Sequence, residues 1–146
     1  MVEYLNRQRV LFFLDVFYAG DLEGALARCS DDIVLVAPAP VDVLPHMGRR
    51  HGKDEVRKTW QTVHACYSGM RHEIREMVAE DHKVAMNIRA FFRKRSNGRT
   101  VQFDIAVFFT LRDGRISEIR EIMDTFDLVQ QVLERDLLTG KDVDET

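Results

Sequence analysis

The sequence predicts an α+β fold in which helices come first and a meander of long antiparallel strands follows. Apolar residues recur three or four apart early in the chain, at Val10, Phe13, Leu14 and Phe17, and again at Val56, Trp60, Val63 and Tyr67. From His72 onward the pattern changes to long strands separated by the turn signals Glu80-Asp81-His82, Ser96-Asn97-Gly98 and Arg112-Asp113-Gly114. A chain of 146 residues with 45% hydrophobic and 31% charged residues is a single globular domain. Residues 1–138 are expected to form it, with residues 139–146 as a polar C-terminal tail.

Val2 to Ala19 reads as an amphipathic helix ended by Gly20, and Asp21 is placed to cap a second helix from Leu22 to about Ser30. Asp31-Asp32 breaks that helix. Ile33 to Ala37 is a short buried strand, stopped by Pro38 and Pro40 because proline cannot donate to a ladder. Residues 38–52 read as one long irregular loop carrying Pro45, His46, Gly48 and His51. Lys53-Asp54-Glu55 opens a third helix that Ser68-Gly69 closes. Strands follow at 72–78, 83–93, 100–111 and 115–123, and a last helix runs from Thr125 to Leu138.

The stretch from Val101 to Phe109 is nearly continuous apolar, so cover is expected on both faces of its strand. The outward set Asn87, Arg89, Phe91, Gln102, Asp104, Ala106, Phe108, Glu118, Arg120 and Ile122 mixes aromatic, aliphatic and opposite-charge residues. Homodimerisation through that outer sheet face is the expectation.

A net charge of −3, from 21 basic and 24 acidic residues, argues against a nucleic-acid partner. The basic run Arg93-Lys94-Arg95 with Arg99 flanks a hairpin signal and reads as a solvated tip. Cys29 and Cys66 lie within predicted helices in no ligand spacing and read as reduced thiols. Neither a signal sequence nor a bilayer-spanning stretch is recognisable, so a cytoplasmic protein with no membrane partner is expected. The five histidines show no metal-ligand spacing. There is no nucleophile elbow, phosphate loop or dinucleotide fingerprint, so neither metal nor cofactor is expected.

Three strings in register resemble one family. Ala19-Gly20-Asp21-Leu22-Glu23-Gly24-Ala25-Leu26 with Asp31-Asp32-Ile33 resembles the opening of SnoaL-like and ketosteroid-isomerase-like proteins. Arg50-His51-Gly52-Lys53-Asp54-Glu55-Val56 resembles their loop-to-helix junction. Asp113-Gly114-Arg115-Ile116-Ser117-Glu118-Ile119-Arg120-Glu121, with Asp124, resembles their last strand. The resemblance spans nearly the whole chain. It implies the cone-shaped barrel of the nuclear-transport-factor-like superfamily: a curved antiparallel or mixed sheet, three N-terminal helices, a C-terminal helix and a deep pocket.

The family's catalytic positions match poorly. Where the steroid isomerases keep a general-base aspartate, a tyrosine and a second acid, this chain has Ala37, Phe13 and Val107. Against the limonene epoxide hydrolases, Glu121 keeps a carboxylate, whereas Ile88, Ala90, Leu35 and Ala37 stand where those enzymes keep polar residues.

Glu121 is the leading catalytic candidate, since it shares a strand face with Ile119 and Met123. Burial would suit it to acid or base work, and a paired structural carboxylate is the competing reading. His46, in the long loop, is the second candidate. The expected wall of the binding pocket comprises Leu35, Ala37, Trp60, His64, Tyr67, Ile88, Ala90, Phe103, Ile105 and Val107. The expected partner is a small hydrophobic molecule. Cofactor-free cyclase, isomerase, dehydratase or epoxide-hydrolase chemistry and a non-catalytic binding or interaction module both stay open.

Overall fold

Strand alternation in the C-terminal half builds the scaffold, and residues with positive φ set its turns. The protein is described by a computed structural model covering residues 1–38, 48–135, 139 and 141. In chain order its elements are helices α1 (Val2–Tyr18) and α2 (Leu22–Leu26), strands β1 (Cys29–Ala37) and β2 (Gly48–His51), and helix α3 (Lys53–Cys66). Strands β3 (Tyr67–Glu80), β4 (Lys83–Lys94), β5 (Thr100–Arg112) and β6 (Arg115–Met123) follow, then helix α4 (Thr125–Leu133). The strands form one curved mixed sheet in the order β2-β1-β6-β5-β4-β3. Among the described residues only the β1–β6 pair is parallel. The sheet is not closed, because β2 and β3 stand at its edges.

The β5–β6 hairpin turns on Asp113 (φ 54°) and Gly114 (φ 76°), two successive left-handed residues that suit the twist of a tight hairpin. Inward-facing Val101, Ile105, Val107, Phe109 and Leu111 alternate along β5 with the outward Gln102, Asp104, Ala106, Phe108 and Thr110. Of these, Ile105, Val107, Phe109 and Leu111 join Val10, Phe13 and Leu14 of α1, Val56 and Trp60 of α3, and Leu26 of α2 in one core, whereas Val101 packs with Val63, Tyr67, Leu128 and Val129. Away from Gln102, which Gln131 of the last helix meets, no described element covers the outward face, so Phe108 is 46% exposed and Ile122 51% exposed.

The structure departs from the sequence expectations at four places. Helix α2 ends at Leu26, and β1 begins already at Cys29. Its pairing with β6 shifts register between Cys29 and Val34, which lets Asp31 and Asp32 reach solvent while Cys29 stays buried. The segment 48–51, read as loop, is an edge strand whose pairing runs from Val34↔His51 to Ala37↔Gly48. Ser68-Gly69 does not end in a loop, since β3 starts at Tyr67. Gly69, at φ 53°, sits at the register shift between Ser68 and Arg71 and gives the long strand a bulge. Helix α4 stops at Leu133, where Glu134 turns left-handed and the buried Lys94 ammonium donates to the Val132 carbonyl (2.8 Å) and the Glu134 carboxylate (2.9 Å). Of the predicted tail, only Thr139 and Lys141 fall among the described residues.

Helix α3 is aimed by Gly52. This residue has φ 85° and ψ 157°, a region that essentially only glycine occupies. Its N–H donates to the Ile33 carbonyl at 2.7 Å, and Glu55 reaches back to accept from the His51 N–H at 2.6 Å. Gly52→Ala should therefore lower stability by about 1–3 kcal/mol in urea unfolding. An unchanged midpoint would show that the junction relaxes without strain.

Candidate functional site

The concave face of the sheet is covered unevenly. At one end α1 packs onto it directly, and the Phe13 ring meets Phe109 edge-on with centroids 5.9 Å apart. At the other end the helices stand off, and an apolar cavity remains. Strands supply Leu35, Ala37, Tyr67, Phe92, Val101, Phe103, Ile105, Glu121 and Met123 to the wall, and helices supply Phe17, Tyr18, Thr59, Trp60, Val63 and Leu128. Its concave, apolar and aromatic lining fits a small-molecule site.

Strand β6 aims Glu121 into that cavity. Its neighbour Arg120 faces the outer surface and pairs with Glu118 at 3.1 Å. Glu121 lies opposite Val107 of β5, and its carboxylate has no hydrogen-bond or ion-pair partner among the described residues. Burial pushes its pKa up from 4.5 to about 7. The accessible surface it keeps opens into the cavity.

Tyr18 closes the same wall from the end of α1. In the sequence it marks only the last turn of the helix predicted from Val2 to Ala19. Burial first, and the nearby Glu121 charge second, push its hydroxyl far above the ordinary tyrosine range, so it stays protonated. His72, which the sequence puts at the start of a strand, packs against the Tyr18 ring with centroids 4.3 Å apart. Burial lowers the His72 pKa, with Asp15 opposing the shift. Thr59 is the other polar side chain that the sequence did not single out, and its hydroxyl accepts from the Arg50 Nε at 3.1 Å.

Of the wall residues expected from sequence, Leu35, Ala37, Trp60, Tyr67, Phe103 and Ile105 lie on the cavity. Ile88, Ala90 and Val107 do not. They share the concave face but sit under α1 in the sealed core, all at most 4% exposed. His64 also stands off the wall, with its ring edge-on to Phe17 at 5.1 Å. Burial, then Arg95, lowers its pKa. His46 lies outside the described residues. Among the described residues no three His, Cys, Asp or Glu side chains gather as metal ligands. No helix among them is long and apolar enough to cross a membrane.

Residues 10–119 match the family described as the SnoaL-like domain. Several solved structures share the fold. TerC, co-crystallised with polyporic acid, is 23% identical, with 86% of this chain and 98% of that chain covered and a TM-score of 0.75. A nuclear-transport-factor-like protein from Burkholderia pseudomallei is 22% identical, covering 86% and 95%, with a TM-score of 0.78. An LEH-like epoxide hydrolase from M. tuberculosis is 20% identical, covering 96% and 94%, with a TM-score of 0.74. At these identities the likeness concerns the fold. No curated protein matches the chain.

The raised pKa of Glu121 carries a stability consequence with a definite sign. The folded state holds this proton more tightly than the unfolded state, so the contribution is fully present below pH 4.5 and is lost as pH rises to about 7. Above that range the ionised, buried carboxylate costs about 3 kcal/mol. Glu121→Gln should match the wild type at pH 4 and exceed it by about 2–3 kcal/mol at pH 8 in urea unfolding. Equal stability at both pH values would mean that Glu121 titrates as an ordinary carboxylate.

Proposed function

Because the chain belongs to the SnoaL-like domain family, we propose that it binds a small, uncharged, largely hydrophobic organic molecule in the cavity and acts on it by cofactor-free acid/base chemistry. Glu121 is the group that moves the proton. The observation that carries this reading is a single desolvated carboxyl, without a partner among the described residues, on an otherwise apolar and aromatic wall. A pKa of about 7 populates both the acid and its conjugate base at neutral pH, which is the condition for giving or taking a proton efficiently. The described wall holds no Lys, Arg or His, so a charged ligand would meet no counter-ion there. Trp60 and Phe103 supply flat faces for an aromatic or polycyclic body. The polyporic acid held by TerC and the name of the epoxide hydrolase support small-molecule chemistry in a cavity of this kind.

The ligand carried through purification, identified by native mass spectrometry, supplies the substrate for the test. Glu121→Gln should lower its turnover at least a hundredfold while binding changes only a few-fold. Undiminished turnover would remove Glu121 from the mechanism.

The same reading places a second copy of the chain on the outer sheet face. There Phe108 and Ile122 stand exposed beside the Arg89–Asp104 ion pair (2.9 Å). Sedimentation at micromolar concentration should give twice the 17.0 kDa chain mass, and Ile122→Glu should reduce it to one chain. A wild-type monomer would refute the interface. Two free thiols, one buried at Cys29 and one exposed at Cys66, suit a reducing compartment, and we place the protein in the cytoplasm.

A further inference from the structure

The elements around the cavity are not equally anchored. Helices α1, α2 and α3 all send side chains into the main core, so moving any of them would open it. Among the described residues, α4 sends none there. Its two buried side chains, Leu128 and Val129, belong to a smaller cluster with Ala37, Val63, Tyr67 and Val101. Leu128 alone carries α4 to the cavity wall. A helix of nine residues has little stability of its own, so its contacts decide where it stays. Most of those contacts are polar and lie away from the cavity. The Gln131 amide meets the Gln102 backbone at 2.9 and 2.8 Å. At the far end, buried Lys94 donates to the Val132 carbonyl (2.8 Å) and to the Glu134 carboxylate (2.9 Å), which also accepts from Asn97 (2.6 Å). Each such bond contributes modestly and breaks without disturbing the sheet. The near end joins β6 through Asp124, a non-helical residue (φ −73°, ψ 92°) where a rotation can be absorbed.

We propose that α4 is the gate of the cavity: it swings about Asp124 to admit and release the ligand, and the contacts of Lys94 and Gln131 latch it shut. The inference rests on the cavity being the ligand site, as proposed above, and adds how that site exchanges its occupant. Withdrawing Leu128 uncovers Val63, Tyr67 and Val101, its neighbours on the cavity wall, while the main core stays packed. A gate has a kinetic signature. Opening it more often speeds entry and exit by the same factor and leaves affinity alone. A side chain that only supports the bound ligand acts on exit, and so changes affinity.

The test follows N-phenyl-1-naphthylamine, a neutral aromatic fluorophore, by stopped-flow fluorescence with wild-type protein, Lys94→Met, Gln131→Ala and Val84→Ala. Val84 is fully buried on β4 in the main core and off the cavity wall, so its variant loosens the fold without touching α4. Lys94→Met and Gln131→Ala should each raise the association and dissociation rates about fivefold and keep Kd within about twofold. Val84→Ala should leave both rates as they are. Gln131→Ala removes only a side-chain amide, so it carries the test if Lys94→Met does not fold. A second readout needs no ligand. Trp60, the single tryptophan, lies 4% exposed on the cavity wall, and its quenching by acrylamide should rise in both α4 variants and not in Val84→Ala. Unchanged rates, or faster dissociation alone, would overturn the gate and leave the cavity as the ligand site. A probe that no form binds counts against the cavity reading, and the quenching comparison then decides the gate by itself.

Discussion

Strands β1 and β6 come from opposite ends of the chain, and their parallel ladder joins the helical half to the meander. Leu35 lies beside Ile119 and Val36 beside Arg120 in that ladder. Strand β2 joins the large sheet only through it, because β2 pairs with β1 alone among the described strands. The register it sets is also the register of the cavity: Leu35 and Ile119 share the inner face, which brings Leu35 and Ala37 onto the same wall as Glu121 and Met123. A slip of one residue would turn Glu121 outward and Arg120 inward. The site and the sheet are specified by the same pairing.

The inner face must be covered along its whole length, yet α1 and α3 seal only one end of it. Large rings and branched side chains fill that end, with Phe13, Trp60 and Phe109 in contact. At the other end Phe17, Phe92 and Phe103 border open space, and Trp60 serves both regions. Enclosure without filling is what desolvates Glu121. A fully packed wall would leave no room for a ligand, and a solvated one would leave the carboxyl with its ordinary pKa.

Much of this arrangement was legible in the sequence, because strand alternation is a local signal. It put Glu121 with Ile119 and Met123 on one face, and Leu35 with Ala37 on another strand. Distance along a strand was not legible in the same way. Ile88 and Val107 have the right parity for the wall but lie under α1, and only the placement of that helix decides between core and cavity. Gly48–His51 was missed because an edge strand of four residues carrying two arginines has no apolar pattern to announce it. Tyr18 was missed for a different reason. On a helix its spacing marks it as core, and its chemical meaning depends on Glu121, more than a hundred residues away in the chain.

Helix α4 links the stability of the fold to the chemistry of the site. Leu128 faces the cavity, while Gln131 pairs with both the N–H (2.9 Å) and the carbonyl (2.8 Å) of Gln102. That side-chain amide continues the β5 ladder beyond the last β6 pairing, at Ile105↔Met123. Lys94, buried beneath the end of the helix, neutralises Glu134 and satisfies the Val132 carbonyl, so its burial costs less than that of a lone charge. These anchors hold Leu128 and Val129 against Val63, Tyr67 and Val101. If they were lost, water would reach Glu121 from that side and its pKa would fall back toward 4.5. The raised pKa is therefore not a property of β6 alone. It depends on a helix whose polar contacts lie outside the cavity and whose apolar side helps to close it.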